Sequence, residues 1–263
     1  MSEKKIVFFD IDGTLWDEYN NIPDSTRDAI KRLRENGHLA FINTGRCRSF
    51  VREPQLFELG FDGIVSGCGT RVEYEGKVIF YYKLDEMLSE KTVKKVREFG
   101  FKPILEGAEY LYLDEADFPV GDFYGDKLRE EMREDLLSIQ DTWGNWEISK
   151  LSCATPPEQV EPCYEAVKDD FDFMVHSPTV VEMVPKGFHK GVGIQKVCEL
   201  LGVPIENTFA IGDSINDLEM LEAAGISIAM GNGMDHVKEV ADYVTTPLFE
   251  DGIKNALEHF NLI

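Results

Sequence analysis

Four short segments carry the residues that can do chemistry. The first, Asp10-Ile11-Asp12-Gly13-Thr14-Leu15, sets two carboxylates one residue apart. On extended backbone, positions i and i+2 point the same way, so both can reach one substrate, and Gly13 permits a tight turn around it. The same pair would equally serve as a turn or helix cap. In the second, Asn43-Thr44-Gly45-Arg46, Thr44 can donate a hydroxyl and Gly45 can bring its N–H to a phosphate oxygen. Read alone, Thr-Gly is also an ordinary strand exit. The third is Lys190-Gly191, opening a helical pattern, where an ammonium can neutralise phosphate charge, although a lone lysine is more often a surface residue. The fourth, Gly212-Asp213-Ser214-Ile215-Asn216-Asp217, adds carboxylates at another strand end. Magnesium favours oxygen ligands in an octahedral array with only one or two protein carboxylates, and Asp10, Asp213 and the carbonyl of Asp12 suit it.

Competing signatures fail. Gly67-Cys68-Gly69 and Gly231-Asn232-Gly233 lack the third glycine of a dinucleotide loop, and no Gly-Lys-Ser/Thr P-loop occurs. The five histidines are dispersed, and no nucleophile elbow supports a Ser/His/Asp triad. The five cysteines are odd in number and form no Cys-x-x-Cys pair, which argues against a disulfide framework or a zinc site and for a reducing, cytoplasmic setting. No run of about 18 apolar residues is present, so no membrane span is expected. A formal charge of −22 would repel nucleic acid and anionic lipid, which need a basic footprint.

The elements that must position these segments are legible as hydrophobic pattern. Ile6-Val7-Phe8-Phe9, Leu39-Ala40-Phe41-Ile42, Phe209-Ala210-Ile211 and Ile226 to Met230 are nearly continuous apolar runs, as strands covered by helices on both faces require. Ala29, Ile30 and Leu33 share a helical face that Gly37 ends, and Ile194, Val197, Cys198 and Leu201 repeat the spacing before Gly202. Strand, helix, strand at both ends of the chain predicts an α/β fold with a doubly wound parallel sheet. The middle reads as α+β. Hairpins are expected at Val72 to Tyr82 and Phe171 to Val184, strands at Glu109 to Leu113 and Trp146 to Cys153, and helices at Glu90 to Phe99, Lys127 to Leu137 and Glu158 to Val167. The expected division is a discontinuous core of residues 1–82 and 184–263 with an insert at 83–183. From Lys83 to Val184 there are 11 basic and 24 acidic residues, so this stretch carries −13 of the −22.

In this order the four segments resemble the haloacid dehalogenase superfamily of phosphohydrolases, and the large insert between the second and third resembles its Cof-type branch with a C2-type (C2B-like) cap. The trailing Met220-Leu221, Met230-Gly231-Asn232 and Glu250-Asp251-Gly252 fit the same pattern, so the resemblance spans nearly the whole chain. It implies that Asp10 attacks phosphorus to form an aspartyl-phosphate while Asp12 protonates the leaving oxygen and later activates water. It further implies that Thr44 and Lys190 hold the phosphoryl oxygens with backbone N–H groups near Ile11, Asp12 and Gly45. Asp213 would ligate Mg2+, with Asp217 and Asn216 orienting the ion, its waters or the phosphate.

The implied reaction is magnesium-dependent hydrolysis of a small phosphorylated metabolite: a sugar phosphate, a nucleotide or a phosphorylated cofactor. A phosphomutase or phosphotransferase would use the same phospho-aspartate, and a non-catalytic phosphometabolite sensor could share the fold. The implied cap would close over the site and set specificity. Ser66-Gly67 stands where many relatives carry Asn-Gly, which leaves the leaving group open. Tyr110, Tyr112, Trp143 and Trp146 have the spacing of core aromatics rather than of a substrate lining. A monomer or weak homo-oligomer is expected.

Overall fold

The computed structural model describes residues 3–263. In chain order it begins with β1 (Ile6–Phe9), α1 (Asp24–Glu35), β2 (Leu39–Asn43), α2 (Pro54–Glu58), β3 (Gly63–Ser66), β4 (Arg71–Tyr74) and β5 (Lys77–Tyr81). The central stretch supplies α3 (Glu86–Glu98), β6 (Lys102–Glu106), β7 (Leu111–Tyr112), α4 (Phe123–Met132), β8 (Leu136–Leu137), β9 (Lys150–Ala154), α5 (Val160–Val167), β10 (Phe171–Ser177) and β11 (Val180–Pro185). The chain closes with α6 (Lys190–Leu201), β12 (Thr208–Gly212), α7 (Leu218–Ala223), β13 (Ile226–Ala229), α8 (Asp235–Val240), β14 (Tyr243–Val244) and α9 (Gly252–His259).

Two compact units result. The first comprises residues 1–45, 52–81 and 189–263, and the second residues 46–51 and 82–188. These limits differ from the expected 83–183 insert because β11 continues through Pro185 and because Cys47 packs among Ile104, Leu111, Phe118 and Leu128 of the second unit. Among the described residues, no helix is long and apolar enough to cross a membrane.

The first unit is built on a sheet of order β14-β13-β12-β1-β2-β3-β4-β5, parallel from β14 to β3 and antiparallel through the β4–β5 hairpin. Burial on both faces explains the unbroken apolar runs: Ile6, Val7, Phe8 and Phe9 are all fully buried. Ile6, Phe8 and Phe41 join Ile194 and Val197 of α6 and Met220 and Leu221 of α7 in one cluster. Each such side chain contributes roughly 1.5–3 kcal/mol of burial.

The second unit holds a sheet of order β10-β11-β9-β6-β7-β8, antiparallel except for the β7–β8 pair. The side chain of Asp85 caps α3 by accepting from the Met87 and Leu88 N–H groups. Val93 and Val96 of α3 and Cys163 and Val167 of α5 pack with Leu105, Leu151, Val181 and Met183 on one face. Tyr112 is buried in this cluster and Trp143 and Trp146 pack against it, as their spacing predicts, whereas Tyr110 is exposed. Leu128 and Met132 of α4 pack with Ile104 and Leu111.

Three central elements depart from expectation. The helix placed at Lys127 to Leu137 starts earlier, where the Asp122 carboxylate accepts from the Gly125 N–H, and stops at Met132 because Arg133 takes a φ of 51°. The strand expected from Trp146 begins only at Lys150, and the one expected at Glu109 to Leu113 contracts to Leu111–Tyr112.

Candidate active site

Parallel pairing of β1 with β12 sets Phe9 opposite Ile211, so Asp10 and Asp213 follow the carboxyl ends of adjacent strands. The Asp10 N–H donates to the Ile211 carbonyl at 3.0 Å and prolongs the ladder by one step. The chain then turns tightly: the carbonyl of Ile11 accepts from Leu15 N–H at 2.9 Å, and Gly13 N–H donates to the Trp16 carbonyl at 2.9 Å. Gly13 has a φ of +84°, and a Cβ there would lie 2.3 Å from Asp213 Oδ2. Only glycine admits both that dihedral and that approach.

Lys190, the first residue of α6, is fully buried and gathers the acids. Its Nζ donates to Asp10 Oδ1 at 2.7 Å, Asp217 Oδ1 at 2.6 Å and Asn216 Oδ1 at 3.3 Å. An ammonium at the positive end of a helix is unfavourable by itself and is held there by these acceptors. The other oxygen of Asp217 accepts from the Asp213 and Ser214 N–H groups at 2.9 and 3.1 Å, so both of its oxygens are engaged. Asp213 Oδ1 accepts from the Thr14 hydroxyl at 2.8 Å.

Asp10, Asp213 and Asp217 each offer an oxygen within 4.8 Å of the others. Three carboxylates against one ammonium leave this cluster short of positive charge. Burial foremost, then the charge of Asp217, pushes Asp10 up to about 8 despite the pull of Lys190. Burial and Asp217 likewise raise Asp213 to about 6, against the Thr14 hydrogen bond and Lys190. Burial would lower Lys190, but Asp10 and Asp217 outweigh it and hold it above its ordinary value. A set of hard oxygen donors with excess negative charge fits a divalent cation of the magnesium type.

The expected residues divide. Asp10, Lys190, Asn216 and Asp217 form one network, and Asp213 lies within the acidic cluster. Asp12 stands outside the Lys190 network: it is solvent-exposed, its Oδ1 accepts from the Trp16 indole N–H at 2.9 Å, and its charge adds to the rise of Asp213. Thr44 and Gly45 follow the carboxyl end of β2, the strand beside β1, with Thr44 N–H donating to Val65 carbonyl at 2.9 Å.

Four supporting residues were not singled out from sequence. Thr14 holds Asp213 and Trp16 holds Asp12. Asn43 Nδ2 donates to the Lys190 carbonyl at 3.0 Å, tying β2 to the first turn of α6. Asn232 donates to the Gly13 carbonyl and accepts from Leu248 N–H, both at 2.8 Å, which fastens the first loop to the segment after β13. Thr14, Asn43 and Asn232 lie within segments that the sequence already marks, without a role being read for them, whereas Trp16 gave no signal.

Comparison with known proteins gives consistent matches. A sequence-family profile described as haloacid dehalogenase-like hydrolase matches residues 7–257. YkrA of Bacillus subtilis (strain 168) is 35% identical over 262 residues, 99% of each chain. A phosphoglycolate phosphatase of Methanosarcina mazei is 39% identical over 257 residues, 97% of this chain and 95% of that one. Among solved structures, a subclass IIB sugar phosphatase superposes with a TM-score of 0.81 at 26% identity, covering 99% of this chain and 100% of the other.

Proposed function

We propose, from the premise that the chain belongs to the haloacid dehalogenase-like hydrolase family, that it is a magnesium-dependent phosphatase in which Asp10 is the nucleophile. The observation that carries this reading is the convergence of Asp10, Asp213 and Asp217 around the buried Lys190 ammonium at neighbouring strand ends. A nucleophilic carboxylate must be ionised, and burial among other acids opposes that. Lys190 supplies part of the compensation, and Asp10, Asp213 and the Asp12 carbonyl would hold the cation. When bound, that cation neutralises charge on the carboxylates and on the transferring phosphoryl oxygens.

The Asp10 carboxylate oxygen attacks phosphorus as the bond from phosphorus to the leaving oxygen breaks. The proton of the Asp12 carboxyl passes to that oxygen, so the alcohol departs neutral and an aspartyl-phosphate remains. In the second half, Asp12 takes a proton from water, the water oxygen attacks phosphorus, the bond to Asp10 breaks and phosphate is released. Exposure of Asp12 suits a group that exchanges protons with leaving group and water. The Trp16 hydrogen bond fixes its direction without burying it. Thr44, Gly45 and the backbone near Ile11 take phosphoryl oxygens, and Lys190 and Asn216 add charge and a polar contact. Positioning and charge neutralisation dominate phosphoryl transfer, and these groups supply both.

The substrate is a small phosphorylated metabolite. The relatives' names span phosphoglycolate and sugar phosphates, so one reaction serves different leaving groups. Phosphate release from an aryl phosphate with Mg2+ tests the assignment. Asp10→Asn keeps the side-chain shape and an acceptor for Lys190, and it should lower turnover by at least about 1,000-fold. Turnover within about tenfold of the parent would remove Asp10 from the nucleophile role.

A further inference from the structure

We propose that the outer edge of β10 is a self-association surface, on which a second copy of the chain pairs its own β10 antiparallel and joins two sheets into one. The two sheets present four edge strands, β14, β5, β10 and β8, and an edge offers unpaired backbone N–H and C=O groups to any strand that fits. Three of these edges are blunted. β8 and β14 are two residues long, and β5 is bulged in its middle, where Val72 and Glu73 pair with Phe80 and Val78 and leave Ile79 extra. β10 differs. At seven residues it is the longest strand among the described residues, its register shifts only after Val175, and no described strand pairs with its outer side. Its sequence, Phe-Asp-Phe-Met-Val-His-Ser, holds neither proline nor lysine to turn a partner away.

Side-chain complementarity selects a second copy as the occupant. Opposed residues must share a face, so a two-fold axis normal to the sheet has to pass through one residue of the strand. Centred on Met174, the pairing sets Met174 against itself, Phe173 against Val175 and Asp172 against His176 of the second copy. Val175 is 58% exposed, whereas Phe173 packs half-buried on Phe101 and Tyr164, so the second copy's Phe173 extends an apolar surface over Val175. On the other face an acid stands opposite a base on each side of the axis. His176 keeps to the face of Met174, because its Nε2 reaches Oε2 of Glu182, the residue opposite Met174 on β11, at 2.8 Å. That leaves Nδ1 for Asp172 of the second copy, while Asp172 is otherwise paired with the exposed Lys186. Neighbouring registers lose these pairings. Centred on Phe173, Asp172 faces Met174, and centred on Asp172, two carboxylates repel each other. A strand of seven residues spans about 23 Å, so the contact belongs to the small, reversible class, and the −22 on each copy opposes it at low ionic strength.

Sedimentation equilibrium of the full-length protein tests the surface without any catalytic readout. At about 0.15 M ionic strength, where charges are screened beyond about 8 Å, a monomer–dimer equilibrium with a dissociation constant below about 200 µM is expected. Val175→Lys should weaken it at least about tenfold, because a lysine on an edge strand turns a pairing strand away and this exposed position tolerates the change. The register has its own test. Directly opposed residues of an antiparallel pair have Cα atoms about 4.5–5.5 Å apart, within the span of a disulfide. Met174→Cys should therefore give a covalent dimer with diamide, which takes up the two hydrogens as two thiols become one disulfide. Val175→Cys, opposite Phe173, should give less than about a tenth of that yield. The five native cysteines are buried, so the parent supplies the background. Lysine substitution and cross-linking are independent readings, and loss of one variant to misfolding leaves the other. A parent dissociation constant above about 200 µM, an unchanged constant in Val175→Lys, or equal cross-linking at positions 174 and 175 overturns the proposal.

Discussion

Gly13 meets two demands at once, a positive φ for the turn after Asp10 and room for the Asp213 carboxylate where a Cβ would sit 2.3 Å away. Gly13→Ala should therefore displace Asp213 and lower turnover about 100-fold, in line with the cost of a small misplacement. An unaltered magnesium requirement and rate would show that Asp213 lies outside the reaction. The crowding of acids has a signed consequence for stability. Asp10 rises from its ordinary 3.8 to about 8 and Asp213 from 3.8 to about 6, so the folded state binds these protons more tightly than the unfolded chain. Their contribution is complete below about pH 4 and is lost as pH climbs through 6 and then 8. Bound cation removes that loss, so millimolar Mg2+ should raise the melting temperature more at pH 8 than at pH 5. Calorimetry showing an equal or larger gain at pH 5 would contradict the cluster's role as a cation site.

Strands and helices bring these residues together through single ties, of which Asn43 is the clearest. Fully buried at the end of β2, it donates to the carbonyl of Lys190 in the first turn of α6. Asn43→Ala removes this tie while the Lys190 carbonyl keeps its place as an acceptor within α6, and the lost hydrogen bond should cost about 0.5–1.5 kcal/mol in urea unfolding while also lowering turnover through Lys190. An unfolding midpoint unmoved by the change would mean that α6 is anchored otherwise. The parallel strands could be read from sequence because both of their faces are covered, which leaves an unbroken apolar run such as Ile6 to Phe9. The second unit was less legible. Lys150 and Glu182 lie buried as a pair inside strands, against the rule that charge marks surface, and the reversal at Arg133 has no glycine to announce it. In the site, carboxylates and Lys190 stood out by type and spacing, whereas Trp16 and Asn43 act through contacts that only the folded chain creates.

Over the whole molecule, a formal charge of −22 works against compaction at every surface position, and the stretch from Lys83 to Val184 holds more than half of it. Long-range repulsion of this kind is screened by salt. The Debye length falls from about 30 Å at 0.01 M to about 3 Å at 1 M ionic strength, from several side-chain lengths to less than one. Sodium chloride, with chelator present so that the acidic cluster stays free of divalent ions, should raise the melting temperature at pH 8 by a few degrees across that range. General salting effects on apolar surface would act at any pH, so the control is built into the composition. The sequence pI is about 4.6, and near pH 5 most of the net charge is gone. Repulsion then has little left to screen, and the same salt series should raise the melting temperature much less. A gain that persists undiminished at pH 5 would assign the effect to apolar burial and leave the acidic surface without a stability cost.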